Sequence, residues 1–500
     1  MKTICHFILA VLFLTLPSSC EIVVPNARIS YQDRTYHSET IDTLIEQLKD
    51  LFIDKNVAIL FENTLPNTLD TTVLYYNHDI NNGIDSFVIT GDIEALWLRD
   101  STNQVLPYIP YTTEDVNLQY LIEGLIQRQA KSIIIDPFAN SFNFNSSNEG
   151  HQKDITTPPM KRSVFEGKYE IDSLMAFLKL SYWQYFYDND SISRFATDKW
   201  FLAISNLLDT IETMQYETGT YKDSPYLFER YTTEGLDTLI MQGRGSPSKP
   251  NGLSRSLFRP SDDAVLLPYN IPGNAMACVE LNHLIIMLTA IKEQKADVSK
   301  LLEQSMKIKN SLCASLESVI GTSIAGVIPY EVDGYGGKYY MDDANIPSLL
   351  SLPLIGYNCD NYKATRNYAL SKQNPFYFYD NNGNAVGPGS PHTGMNQTWP
   401  MALIVQAITS DNDDEIRHLL NQIIASNADT GFLHESFDTN DVTVYTRSWF
   451  AWCNTLYGEF ILNLLFTKPH LLLKDNSVPI DKVIPNIKRP VSYYSMKEKW

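Results

Sequence analysis

The sequence predicts a fold dominated by α-helices, packed in pairs around a closed ring (a helical toroid), with short β-hairpins carried in the loops. Three observations predict it. Apolar residues recur at helical spacing in one segment after another between Ile41 and Phe466. The connections are long and rich in Asp, Asn, Gly and Trp, and structureless loops beyond about 12–15 residues are uncommon in a compact domain unless they build a site. No fixed-length repeat is present, so a solenoid is not indicated, and a closed ring of paired helices would bury each helix's apolar face and gather the loops at one end.

Taken in order, the chain opens with Lys2, an apolar run over 7–16, and Pro17-Ser18-Ser19-Cys20. That is the charged, apolar and small-residue succession of a secretory signal peptide, and it assigns 1–20 to targeting and 21–500 to one domain. Retention of the run as a membrane anchor is the alternative. A lipoprotein site at Cys20 fits less well, because Pro17 stands where a large aliphatic residue is expected. After an irregular lead-in to about residue 40, Ile41, Leu44, Ile45, Leu48, Leu51 and Phe52 mark an amphipathic helix. Residues 77–93 carry β-branched side chains around Asn81-Asn82-Gly83, a short hairpin. Asp115 is placed to cap a helix bearing Leu118, Leu121, Ile122, Leu125 and Ile126. Further helices are predicted over 169–186, around Ile204–Ile211, and over 277–293, 298–318, 401–409, 413–425 and 447–466. Between them lie polar loops at 136–147, 243–260, 330–347, 377–400 and 431–446, and an irregular tail follows Lys468.

Composition excludes more than it selects. Hydrophobic residues at 44% and aromatics at 12% supply a sizeable core. A formal charge of −19 opposes nucleic acid or an anionic membrane surface as partner. Beyond residue 20 the cysteines are Cys278, Cys313, Cys359 and Cys453, which permit three full pairings and contain no CxxC spacing that would suggest zinc. Sequons stand at Asn145, Asn189 and Asn396. HExxH, GxSxG, Walker A and a GxGxxG between strand and helix are all missing, and the 9 His residues show no ligand spacing. No cofactor, metal or obligatory protein partner is expected.

What the loops do supply is carboxylates beside aromatics: Asp92, Asp100, Asp172, Asp262, Asp263, Asp342, Asp343 and Glu435. Two carboxyl groups across a sugar suffice for glycoside hydrolysis, one as acid and one as base or nucleophile. In 90–104, TGDIEALWLRDSTNQ, an indole, a guanidinium, a carboxylate and an amide together suit a sugar, the ring offering an apolar face and the others hydrogen bonds. The alternative is a buried Arg99–Asp100 pair at a helix start. Asp262-Asp263 follows Arg259-Pro260-Ser261, and adjacent carboxylates near one cation can leave one group protonated and the other ionised. The same SDD could instead cap a helix. Glu435 lies among Phe432, Leu433 and Phe437, a setting for a general base or for an ion pair with Arg447.

The blocks TGDIEALWLRDSTNQV, DPFANSFN, KYEIDSL, FRPSDDA, GSPHTG, WPMAL and GFLHESF…TRSWFAWCNTLYGEFI run in order from about residue 90 to 466. Together they resemble the glycoside hydrolase family of metal-independent exo-α-1,6-mannosidases. The resemblance implies an (α/α)6 barrel and an inverting release of terminal α-1,6-linked mannose from N-glycan-type oligosaccharides or glycoprotein glycans. It places the general acid in the SDDA block, on Asp262 with Asp263 as the alternative, and the general base on Glu435. Trp97, Arg99, Asp100 and His392 would wall the terminal mannose. The chain departs from the family at Gly167, where Arg is usual, and at Cys453, where a small residue is common. Those departures bear on secondary contacts and substrate preference. A glycan-binding protein that has lost catalysis, or another glycosidase specificity on the same scaffold, are the competing functions.

Overall fold

Short polar side chains set where several helices begin. Ser38 accepts from the Ile41 amide at 3.3 Å, Asp54 from Asn56 at 2.8 Å, and Asp115 from Asn117 and Leu118 at 3.1 and 3.0 Å. Each such cap contributes about 1 kcal/mol to its helix. The computed structural model describes residues 23–79, 83–147, 149–220, 224–293 and 297–497. The expected signal peptide and the Asn81-Asn82 turn lie outside the described residues.

The helices form two concentric layers. In the inner layer Leu98–Val105 packs on Ile171–Tyr187 and on Ala451–Thr467, Ile171–Tyr187 packs on Ile271–Glu293, and Pro400–Ile408 packs on Ala451–Thr467. Outside them, Lys55–Thr64 backs Ala451–Thr467, Ser299–Gly321 backs Ile271–Glu293, and Asp413–Ala425 backs Pro400–Ile408, while Val116–Ile135 joins Asp198–Tyr216. The inner helices are buried nearly all round, as their unbroken apolar sequences require. This is the paired-helix ring predicted from the sequence, an (α/α)6 barrel. One inner position is not helical. Residues 344–356 run there as buried turns, because Pro347 and Pro353 interrupt any helix that would form. Ile346 and Leu354 from this segment meet Asn103, Lys179 and Trp452 around the barrel axis.

Several expectations need correction. Lys55–Thr64 is a further helix, in a stretch for which the sequence predicts no element. Ile271–Glu293 starts six residues before the predicted 277, since Pro272 sits in the first turn, where its missing N–H costs nothing. Gly273 is required there: a Cβ would come within 2.7 Å of Ile171 Cγ2. The last long helix begins at Ala451 rather than 447, because Arg447 has φ 58°, which no α-helix accommodates. The predicted 431–446 loop contains an antiparallel ribbon, Ser436–Asp438 with Asp441–Thr446. The tail carries short helices at Ile480–Val483 and Val491–Ser495. The hairpin in 77–93 is realised as Val73–Asn77 paired with Asp85–Val88. Among the described residues Cys278–Cys313 ties two packed helices together, while Cys359 and the buried Cys453 are free.

Candidate active site

The loops that precede the inner elements converge at one end of the ring, and between them they leave a cavity of about 150 Å³. It is lined by Thr90, Ile93, Trp97, Arg99 and Asp100 before and within the first inner helix. Ser261, Asp262 and Asn345 come from the middle of the chain, and His392, Trp399, Glu435, Arg447 and Phe450 from its end. Six separate loops therefore contribute, and all six sequence-predicted site residues reach the same space.

Trp97 closes the strand Leu96–Trp97, which pairs with Ser141–Phe142, itself paired with Val164–Glu166. This small sheet fixes Trp97, Asn140 and Glu166 side by side. The indole is buried, yet its Nε1 has no protein hydrogen-bond partner. Arg99 follows in the first turn of Leu98–Val105 and is 3% exposed. It donates to Glu170 at 2.5 Å, Asp172 at 3.2 Å and Asp262 at 3.0 Å, and its Nε lies 3.5 Å from Asp100. The buried Arg99–Asp100 pair at a helix start, one of the two alternatives for 90–104, is present, and Arg99 also lines the cavity.

Four carboxylates about one guanidinium cannot all be ionised comfortably. Burial raises the Glu170 pKa well above its ordinary value, and neighbouring Asp262 and Asp172 oppose the relief that Arg99 gives. Burial likewise raises Asp172, to about 6, and Asp100. Asp262 goes the other way. Burial pushes its pKa up, but Arg99, a hydrogen bond from Glu170, Lys168 and His392 outweigh it and hold the carboxyl well below the usual range. The cluster therefore favours protonation of Glu170 over Asp262, its neighbour. Asn140 bridges the group, donating to Glu166 at 3.0 Å, Glu170 at 3.1 Å and Asp262 at 3.4 Å.

Asp262 is the member of this cluster that opens to the cavity, with 22% of its side chain exposed against 0–8% for Glu170, Asp172 and Asp100. It does not cap a helix. It sits in a tight turn closed by the Arg259 amide on the Asp263 carbonyl at 2.7 Å, with φ 69°, a left-handed conformation costing about 1–3 kcal/mol outside glycine. Asp263 points elsewhere: its Oδ1 meets His392 Nδ1 at 3.1 Å. Burial lowers the His392 pKa, but Asp263, then Glu435 and Asp262, raise it to about 9, so the ring is an imidazolium at neutral pH. Arg259, the cation expected beside the pair, turns away to Glu331 at 2.7 Å.

On the other wall, Glu435 precedes the strand Ser436–Asp438. Thr446 Oγ1 donates to its Oε2 at 3.1 Å, and Arg447 Nη1 stands 3.7 Å from Oε1. Arg447 is itself claimed by Asp92, at 2.8 and 2.5 Å, and its guanidinium lies over Phe450. Thr90 holds Asp100 at 2.9 Å and Trp399 Nε1 donates to Thr393 in the His392 turn at 2.8 Å. The remaining candidate carboxylates are structural. Asp342 accepts from the Leu349 and Leu350 amides, and Asp343 from Ser261. Reading the sequence alone does not assign Asn140, Glu166, Asn345 or Thr446 to the site. Asn140 and Asn345 stand inside the conspicuous DPFANSFN and MDDANIP loops, which is the signal that could have found them.

Comparison with known proteins agrees with this geometry. The model of the metal-independent alpha-mannosidase family, GH125, matches residues 54–462. The meiotically up-regulated gene 157 protein of Schizosaccharomyces pombe is 44% identical over 480 residues, covering 92% of each chain. A solved Streptococcus pneumoniae metal-independent α-mannosidase, in a non-productive complex with α-1,6-mannobiose, superposes with a TM-score of 0.78 at 34% identity, covering 85% of this chain and 98% of that one. The chain belongs to the metal-independent α-mannosidase family, GH125, glycoside hydrolases that act on α-linked mannose.

Proposed function

We propose that the protein is an inverting exo-α-1,6-mannosidase that removes terminal mannose from N-glycan-type oligosaccharides. One observation carries the reading: Asp262 and Glu435, from two distant parts of the chain, line the same small cavity. Asp262 protonates the glycosidic oxygen as the C1–O bond breaks. Glu435 takes a proton from the water whose oxygen forms the new bond to C1 on the other face, so the sugar leaves as the β-anomer. The proton for Asp262 comes from the pool it shares with Glu170. Trp97 supplies an apolar platform, and Arg99, Asp100 and His392 bind hydroxyl groups. A cavity of about 150 Å³ suits a single terminal sugar, which supports exo action. The α-1,6-mannobiose complex of the streptococcal relative supports the linkage.

A secretory location accords with this substrate. It is supported by the apolar run at 7–16, by the Cys278–Cys313 disulfide, which persists in oxidising compartments, and by the exposure of Asn145, Asn189 and Asn396. The test is hydrolysis of α-1,2-, α-1,3- and α-1,6-linked mannobiose and of a gluco-configured disaccharide in the presence of EDTA. Turnover of the α-1,6 sugar alone is expected. Binding without turnover would instead identify a glycan-binding protein, and cleavage of the gluco sugar another glycosidase.

A further inference from the structure

Beyond the catalytic cavity, on the side of Asp262, lies a second and more open hollow of about 760 Å³, lined by the 150–154 loop, Arg230 and Tyr231. We propose that this shelf binds the more distant sugar units of the leaving group, those that follow the first unit beyond the bond being cut. The inference rests on Asp262 as the acid. The acid protonates the departing oxygen, so the remainder of the glycan must extend past the acid's wall and not past Glu435. That wall is continuous with the shelf: Asp262 meets Asn140, Asn140 meets Glu166, and Glu166 accepts from Arg230 at 2.8 Å on the shelf floor.

An aromatic path runs the same way. The Trp97 ring in the catalytic cavity lies 5.4 Å from Phe165, and Phe165 lies 5.7 Å from His151 at the shelf edge. At the rim Tyr231 is fully exposed, presenting a bare ring to solvent. Pyranose rings carry an apolar face that stacks on such a ring, while their hydroxyl groups need the donors that His151 and Lys153 provide.

The shelf is held rigidly, as a binding surface must be. Strand Ile155–Thr157 pairs with Leu227–Glu229, which sets the two loops beside each other. Arg230 grips Asp154 through two hydrogen bonds of 2.9 and 2.6 Å and Asp237 through a third of 2.8 Å. Gly150, at φ 86°, lies flush on Phe165, where a Cβ would come within 2.5 Å of the Phe165 carbonyl.

The experiment compares Tyr231→Ala with the parent enzyme on α-1,6-mannobiose and on a linear α-1,6-mannotetraose. The substitution is expected to raise KM for the tetrasaccharide by roughly tenfold, with kcat unchanged and the disaccharide unaffected. Tyr231→Phe should behave like the parent. An equal effect on both substrates, or none on either, overturns the proposal. If the parent hydrolyses neither sugar, the mannosidase reading fails on its own. The shelf is then judged by calorimetric titration with mannotetraose, where equal affinity for parent and Tyr231→Ala overturns it.

Discussion

The two walls of the cavity are built on opposite principles. Asp262 stands in a crowd: one buried guanidinium, three further carboxylates, a bridging amide and a strained backbone turn. Glu435 has one hydroxyl donor, one distant, already paired arginine and the charge of the nearby His392 ring. The difference suits the two roles proposed for them. An acid needs a proton within reach at neutral pH, and only a cluster too acidic to ionise fully can store one. A base needs an ionised oxygen open to water, and tight ion pairing would blunt it. In the proposed mechanism the crowded wall serves the acid's proton and the sparse wall the attacking water.

Substitutions at each wall test that contrast. Glu435→Gln removes the base and should lower kcat by about ten-thousandfold while leaving substrate binding measurable by titration. Asp262→Asn should cost about a hundred- to ten-thousandfold on a natural disaccharide and much less on an aryl mannoside whose phenolate needs no proton. Equal losses on both substrates would remove Asp262 from the acid role. Arg99→Leu strips the cluster of its counter-charge, and chemical denaturation should show a loss of about 3–5 kcal/mol, as when one partner of a buried ion pair is removed. A change within error there would mean that the carboxylates are not held by Arg99 at all.

The smallest effect concerns His392, which joins the walls. Its pKa is raised from 6.5 to about 9, so its contribution to stability is complete below about pH 6.5 and is lost as pH rises through about 9. Stability of the parent relative to His392→Asn, followed from pH 6 to 10, should fall by about 1 kcal/mol across that window, allowing for solvent screening. A difference independent of pH would mean that the ring is neutral.

The ring of helices was legible because burial imposes a 3.6-residue period on every segment that faces both core and neighbour. It was least legible where backbone conformation overrode that period: at Arg447, whose left-handed φ delays the final helix, and at 344–356, where prolines replace a helix with turns. The site divides in the same way. Carboxylates beside aromatic residues marked eight candidates, and it was the resemblance to the mannosidase family that singled out Asp262 and Glu435 among them. Their unlike surroundings could not be read there, since Glu170, Asn140 and Glu166 reach Asp262 from other parts of the chain. Nor could the choice between Asp262 and Asp263, which rests on which side of one tight turn each carboxyl leaves.

The central claim is that Asp262 and Glu435 act from opposite faces of the sugar in a single displacement. Proton NMR of the first mannose released from α-1,6-mannobiose, recorded before mutarotation, tests it most directly. The account predicts β-mannose as the first-formed anomer, with the α signal growing only later. An α-anomer at the earliest times would contradict it.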